Sequence, residues 1–198
     1  FTGKDIFSDM KDGLNYIWHQ KDIFFLLLVA SGVNFFFAAF EFLLPFSNRL
    51  YGVKGAYATI LTLGAIGSII GALIANKFKS SMEMLLFLLI LTGVGVFMMG
   101  LPLPPLLSFS GNLVCELFMT IFNIHFFTQV QTKVEGAYLG RVLSTIFTLA
   151  IVFMPIAKGL MAWLPSVRVE SFLLIGAGVI LFSFLAQLVA KQLPSKSH

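Results

Sequence analysis

Long stretches without a charged side chain constrain this chain more than any other feature of its sequence. Helical segments of about 17–25 apolar residues match the thickness of a bilayer's hydrocarbon core. The chain is 58% hydrophobic and 11% charged, whereas soluble domains contain about 25% charged residues. Its charge-free stretches lie between Asp22 and Glu41, between Lys54 and Lys77, between Glu83 and Glu116, and between Glu170 and Lys191. These stretches exclude a soluble globular domain.

The apolar segments predict helices rather than strands. Lipid offers the backbone no hydrogen-bond partner, so a spanning segment is either a helix or a strand of a closed barrel. Barrel strands alternate in polarity over about ten residues, and the sequence contains no such alternation. We therefore predict an all-α membrane protein whose single domain, 23–190, has six transmembrane helices. The predicted spans are 23–44, 56–76, 83–101, 106–129, 141–164 and 171–190.

Proline and glycine mark several of the predicted ends, because proline beyond the first turn of a helix removes a backbone hydrogen bond. Pro45 and Gly52 follow the first span, and Pro165 ends the fifth. The proline-rich segment 101–105 predicts a tight turn between the third and fourth spans.

Lysine and arginine predict the orientation, since cytoplasmic loops are enriched in both. One side of the predicted bundle carries Lys4, Lys11, Lys21, Lys77, Lys79, Lys133, Arg141, Lys191 and Lys196, and the other carries Arg49, Lys54 and Arg168. We expect a multi-pass protein of the plasma (inner) membrane with both termini in the cytoplasm. The chain begins at Phe1 rather than methionine, so we expect a processed product or part of a longer protein.

Segment 1–22 precedes the first span and predicts an amphipathic helix on the cytoplasmic side. Its apolar residues Ile6, Phe7, Met10, Leu14, Ile17 and Trp18 recur at helical spacing. Two alternatives stay open: the helix lies on the membrane surface, or it is a linker that packs on protein. Segment 191–198 is predicted to be a cytoplasmic tail.

The spans differ in polarity. The first, second, fourth and fifth each carry a polar face, whereas the third and sixth are almost wholly apolar and can face lipid on most sides. The fourth span places Ser108, Asn112, Glu116, Thr120 and Asn123 on one stripe, and the first does the same with Ser31, Asn34 and Glu41. Polar stripes in several spans indicate a shared aqueous cavity or a buried hydrogen-bonded seam.

Glu116 is the charged residue deepest in a predicted span, and intramembrane charge costs roughly 2.5–3.5 kcal/mol on insertion scales. We predict that Glu116 and Glu41 handle protons or cations; the alternative for Glu116 is a protonated acid hydrogen-bonded within a helix seam. Glu41 and Lys158 lie near the outer ends of their spans, where they either snorkel to the surface or pair with each other.

The remaining polar side chains have two interpretations. We predict that Ser31, Asn34, Asn112, Thr120 and Asn123 line a substrate cavity; hydrogen bonds between helices are the alternative, and for asparagines the commoner one. His125 lies opposite Glu116 on the helix and is interpreted as packing. Gly64, Ser68, Gly71 and Ala75 form a small-residue stripe on the second span that allows another helix to approach closely. A minority of the first-span phenylalanines, Phe35, Phe36, Phe37, Phe40 and Phe42, are candidates for an apolar pocket.

The sequence contains no pattern typical of an enzyme. A zinc-protease histidine pair, a nucleophile elbow, a phosphate-binding loop and a cysteine/histidine cluster at metal spacing are all missing. Cys115 is the single cysteine, so no internal disulfide forms. We expect no enzymatic activity, no metal or other cofactor, and no nucleic-acid partner.

Six spans with both ends inside, four of them with polar faces, resemble one half of a major facilitator superfamily transporter. Local motifs resemble the macrolide-efflux branch of that superfamily. Segment 7–13 with Lys21 and the leucines at 26–28 is similar to the branch's central loop and seventh span. Segment 138–144, with 154–156 following and Gln129, Gln131 and Val134 preceding, is similar to its tenth-to-eleventh-span region. The superfamily's basic loop motif is only faint at 76–79, where Lys79 replaces a glycine.

The resemblance implies the C-terminal bundle of a transporter with about twelve spans, in which the two halves rock around a site near the midplane. It implies export of hydrophobic or amphipathic drugs in exchange for protons, with Gly140 and Arg141 in a gating loop on the cytoplasmic side. The implied partners are membrane lipid, a small hydrophobic substrate, protons and an N-terminal six-helix half. Two alternatives remain: a six-span protein that assembles with a partner and does not transport alone, and a lipid or metabolite facilitator.

Overall fold

The structure, a computed structural model, describes the backbone of residues 3–192 and the side chains from residue 8 onward. Residues 193–198, most of the predicted tail, lie outside the described residues. Over residues 3–192 the chain is helical and contains no strand. The helices are α1 (Gly3–His19), α2 (Lys21–Leu43), α3 (Ser47–Tyr51), α4 (Ala56–Ile74), α5 (Met82–Met99), α6 (Pro105–Lys133), α7 (Leu139–Trp163) and α8 (Ser171–Gln192).

Six of these helices are long and apolar enough to cross a membrane, which confirms the predicted fold class. The six begin and end within four residues of the predicted spans. The predicted breaks have clear backbone causes. Gly52 ends α3 and Gly55 precedes α4, both with positive φ, at 64° and 82°, a conformation that side chains with a Cβ disfavour. Pro105 begins α6, where its missing N–H leaves no bond unmade.

The six long helices pack in the order α4, α6, α5, α8, α2, α7, each mainly against its neighbours in this series. The helices at the two ends of the series, α4 and α7, are the least buried of the six. Their outward faces carry large apolar side chains, among them Leu73 on α4 (73% exposed) and Val152 on α7 (52% exposed).

The third span, α5, differs from the expectation that it faces lipid on most sides. Gly93 lies against α8 and Gly95 against α6, so both neighbours approach the α5 backbone closely. The exposed part of α5 is a narrow strip that includes Phe87 and Val94. The prediction was wrong because it counted polar side chains and ignored the glycines, which bring two helices against one. The sixth span, α8, does expose an apolar face, at Leu174, Leu181 and Leu188.

Helix α1 packs on protein at the start of α7. Gly13 lies against the Arg141 carbonyl and the Thr145 side chain, and a Cβ added at Gly13 would overlap the Thr145 hydroxyl and lie only 3.0 Å from the Arg141 carbonyl oxygen. One turn either way along α1, Asp9 pairs with Arg141 at 3.0 Å and the Tyr16 ring stacks on Tyr138 with centroids 4.8 Å apart. The α1 face toward α7 is therefore a protein interface, while Leu14 and Trp18 stay exposed.

Candidate functional site

The polar stripe of α6 packs against a glycine face of α4. Gly64, Gly67 and Gly71 of α4 all point at α6, and an added Cβ at Gly67 would overlap the backbone carbonyl of Leu113. The predicted close approach at the small-residue stripe is confirmed. The predicted stripe omitted Gly67 and included Ser68, which lies beside it and faces Glu116.

Asn112 is held in this seam by a bond between helices. Its Nδ2 donates to the Ile60 carbonyl of α4 at 2.8 Å, and the residue is 2% exposed. The carbonyl is accessible because Gly64, one turn later on α4, has no side chain to cover it. The other amide atom, Oδ1, is buried and has no hydrogen-bond partner among the described residues. Buried polar atoms without partners are uncommon in native structures.

Glu116 lies one turn beyond Asn112, well inside α6, and is half-buried. Ser68 of α4 donates to its Oε2 at 3.3 Å. No lysine, arginine or histidine among the described residues comes within ion-pair distance of this carboxyl group. An ionised carboxylate without a counter-charge is costly away from water, so the site favours a neutral acid whenever water is excluded.

Glu41 and Lys158 form an ion pair between α2 and α7. The Lys158 Nζ lies 3.5 Å from Glu41 Oε2, and both side chains are nearly half exposed. The sequence left two alternatives open, snorkelling to the surface or pairing with each other, and in the structure the two side chains are paired.

The other predicted cavity residues are dispersed over the fold. Ser31 is buried, and its hydroxyl donates within α2 to the Leu27 carbonyl at 2.8 Å. Asn34 is half-buried on α2, Thr120 lies beside Gly71 in the α4–α6 seam, and Asn123 is exposed on α6. Contact of these residues with a substrate stays a prediction.

Gly140 and Arg141 occupy the first turn of α7. Gly140 is exposed and has open space where a Cβ would stand. Arg141 pairs with Asp9 of α1, and the preceding loop is tied to the same helix by a Glu135 N–H bond to the Tyr16 hydroxyl at 3.4 Å. The prediction that Gly140 and Arg141 lie in a loop was wrong, because α7 begins at Leu139 and includes both. Their part in gating stays a prediction.

Two further predictions concern the packing of His125 and an apolar pocket lined by first-span phenylalanines. His125 is buried, with its Nε2 2.9 Å from the Ala75 carbonyl just after α4, so its contact is structural. Phe36, Phe37 and Phe40 line a narrow apolar cavity enclosed by α2, α5, α6 and α8. Its one polar lining residue, Thr92, uses its hydroxyl within its own helix.

The sequence was sufficient to predict the polar residues of the seam but not the helix and the hydrogen-bonding groups that they contact. The Gly64–Gly71 spacing predicts that some helix approaches α4, but it does not identify α6. The sequence places Ser68 in the small-residue stripe, but its bond to Glu116 depends on the rotation of two helices relative to each other. The Ile60 carbonyl is a backbone atom, so no residue type marks it.

Comparison with known proteins finds distant relatives. The chain is 28% identical over 160 residues to macrolide efflux protein A of Enterococcus faecalis, an alignment that covers 75% of this chain and 48% of the relative. Macrolide efflux protein A of Streptococcus pyogenes matches at the same identity and share of this chain, with 38% of its own length covered. The chain thus spans less than half the length of these curated relatives. No family model matches the chain, and no solved structure matches it.

Proposed function

We propose that this chain is the C-terminal six-helix half of a secondary transporter that exports hydrophobic or amphipathic drugs in exchange for protons. Glu116 is the proton carrier: it is neutral when the seam is closed to water and ionised when water reaches it. The transporter alternates access by rocking this bundle against a second one, as in the major facilitator superfamily. No enzymatic step and no cofactor belong to the cycle.

The observation that carries this proposal is the position of Glu116. A carboxyl group inside a membrane-spanning helix, with a hydroxyl donor but no cation beside it among the described residues, is suited to gain and lose a proton. A purely structural carboxylate would gain more from a lysine or arginine partner, as Glu41 does with Lys158.

A second six-helix bundle is supported by the exposure of α4 and α7. These helices are the least buried of the six spans, yet each carries polar residues as well as large apolar ones on its exposed side. Thr59 and Thr62 on α4 and Thr148 on α7 are exposed. Such mixed faces suit contact with protein and water better than contact with lipid alone.

The substrate class rests on the relatives, whose names describe macrolide efflux. The cavity residues we propose are Ser31, Asn34, Thr120 and Asn123, whereas Asn112 is buried in the α4–α6 seam and hydrogen-bonds to Ile60. The plasma (inner) membrane location and cytoplasmic termini rest on the nine lysines and arginines of one side against three of the other. In that orientation Gly140, Arg141 and the contact with α1 lie on the cytoplasmic side and take part in gating.

The substitution Glu116→Gln tests the proposal in the full-length protein. Glutamine keeps the size and the bond from Ser68 but cannot release a proton, so we expect proton-dependent macrolide efflux to fall to the background of cells without the transporter. The readout is macrolide accumulation in energised cells, with and without a protonophore, at matched amounts of membrane protein.

Glu83→Gln is the matched control, because Glu83 is exposed in the first turn of α5. We expect it to leave efflux unchanged. Unchanged efflux in Glu116→Gln, at a normal protein level, would reject Glu116 as the proton carrier.

A second candidate function is that of a six-span protein that assembles with a partner and transports nothing alone. The exposed faces of α4 and α7 also support it. The two candidates differ in the length of the native polypeptide, since a half transporter is continuous with about six more spans. A lipid or metabolite facilitator differs from both in its substrate.

A further inference from the structure

The buried oxygen of Asn112 points to a role for this residue in the proton cycle. Its amide nitrogen is committed to the Ile60 carbonyl at 2.8 Å, which fixes the orientation of the amide. The Oδ1 atom is then a pure acceptor, and it finds no donor among the described residues. Because Asn112 is 2% exposed, that acceptor is removed from bulk water.

The group best placed to supply a donor is Glu116. The two residues are one turn apart on the same face of α6, so their side chains are neighbours. Both also border Gly64: a Cβ there would lie 3.2 Å from Glu116 Cγ and 3.3 Å from Asn112 Cγ. The Asn112 amide and the Glu116 side chain therefore adjoin one small volume beside the α4 backbone.

The charge state of Glu116 decides whether it can satisfy this acceptor. An ionised carboxylate offers only acceptor oxygens, whereas the protonated form carries one O–H donor. Ser68 donates to Oε2, which leaves Oε1 to carry the proton. A carboxylate beside Asn112 Oδ1 repels this oxygen, whereas a carboxylic acid there donates a hydrogen bond to it.

We infer that Asn112 is a positioning residue that holds Glu116 in its protonated form by accepting a hydrogen bond from the carboxyl O–H at Oδ1. Ser68 acts in the opposite sense, because a hydroxyl donor stabilises the carboxylate more than the acid. Together, Asn112 and Ser68 set the pH at which Glu116 exchanges its proton. This inference rests on the proposed function only in giving that exchange a role in transport.

Other ionisable groups near Glu116 are few among the described residues. On α6 the adjacent Cys115 is fully buried. On α2, Glu41 is paired with Lys158 of α7. The face of α4 toward Glu116 presents Gly64 and Ser68, neither of which titrates.

Carbodiimide labelling tests the inference, since carbodiimides react with protonated carboxyl groups inside membranes. The full-length protein in membranes is labelled across a pH series, and mass spectrometry quantifies the modified Glu116 peptide. We expect Asn112→Leu to lower the pH midpoint of labelling by about one unit, the equivalent of one hydrogen bond. We expect Ser68→Ala to raise the midpoint.

The opposite shifts of the labelling midpoint expected for Asn112→Leu and Ser68→Ala distinguish this mechanism from a loosened α4–α6 seam. A seam opened to water would move both variants in the same direction, and that result, like an unmoved midpoint in Asn112→Leu, would overturn the inference. Gln131→Leu, at an exposed position about five turns further along α6, should leave the midpoint in place. If Asn112→Leu does not reach the membrane, Asn112→Ala carries the same expectation without added bulk.

The outcome is independent of the efflux assay. A lowered midpoint together with normal efflux by Glu116→Gln would retain the hydrogen bond and reject the proposed function. Loss of efflux in Glu116→Gln together with an unmoved labelling midpoint in Asn112→Leu would retain the proposed function and reject the hydrogen bond. Protection of Glu116 by sodium chloride at fixed pH, with potassium chloride as the control, would indicate a bound cation in place of the proton and overturn the role of Asn112.

Discussion

Individual charged residues inside the spans fall into two kinds in this structure. Glu116 has a hydroxyl donor and no counter-ion among the described residues. Glu41 and Lys158 instead form a pair on two neighbouring helices. Only the first kind is free to change its charge without leaving another charge alone, which is why we propose proton exchange at Glu116 rather than at Glu41.

The pairing of Glu41 with Lys158 makes a prediction about assembly in the membrane. Lys158→Met leaves Glu41 without a partner, and at this half-exposed position near the end of a span the cost of the lone charge is below the roughly 2.5–3.5 kcal/mol of a helix centre. We expect the single variant to lower the amount of folded protein in the membrane several-fold, and the double variant Glu41→Gln/Lys158→Met to restore it. Quantitative immunoblotting of membranes provides the measurement. Equal amounts for the single and double variants would mean that each charge reaches the surface separately.

The sequence was sufficient to find these residues but not to pair them. Charge-free runs make Glu116 conspicuous, and the depths of Glu41 and Lys158 allow a pair. Whether two helices lie side by side at the right rotation depends on packing over their whole length. The contacts of Glu116 with Ser68 and of Asn112 with Ile60 arise from that packing.

At the scale of the helices, glycine determines which elements approach most closely. Gly67 of α4 faces the Leu113 carbonyl of α6, while Gly93 and Gly95 bring α8 and α6 against α5. Because lipid tails are as apolar as the helix surfaces, there is no hydrophobic driving force between helices, and such close packing is a main source of their association. Helix ends were predictable because proline, glycine and charge mark them, whereas the burial of α5 was not, since its glycines fall outside any polar pattern.

Gly67→Ala should destabilise the α4–α6 seam. The added Cβ overlaps a backbone carbonyl, so the helices must separate, at a cost of about 1–3 kcal/mol that outweighs the gain of about 1 kcal/mol in helix propensity. We expect a thermal midpoint several degrees below that of the wild type in detergent. Gly159→Ala in α7, which meets nothing within 4 Å, should be neutral or slightly stabilising. A Gly67→Ala midpoint equal to or above the wild type would contradict this packing.

At the scale of the whole molecule, the packing series ends in two exposed helices. Polar faces on α2, α4, α6 and α7 were visible in the sequence, and they suggested a cavity. The structure assigns most of the α6 stripe to a seam with α4, while exposed polar residues remain on α4, α6 and α7. A cavity shared with a second bundle is part of the proposed function, because its other wall would come from residues outside this chain.

Proton movement driven by a macrolide tests the central claim, exchange through Glu116, most directly. The full-length transporter is reconstituted in vesicles with a pH-sensitive dye inside, and a macrolide gradient is imposed with no initial pH difference. We predict that protons move against the direction of macrolide movement in the wild type, and that Glu116→Gln abolishes this pH change. Macrolide movement without a pH change in the wild type, or an equal pH change in Glu116→Gln, would contradict the account.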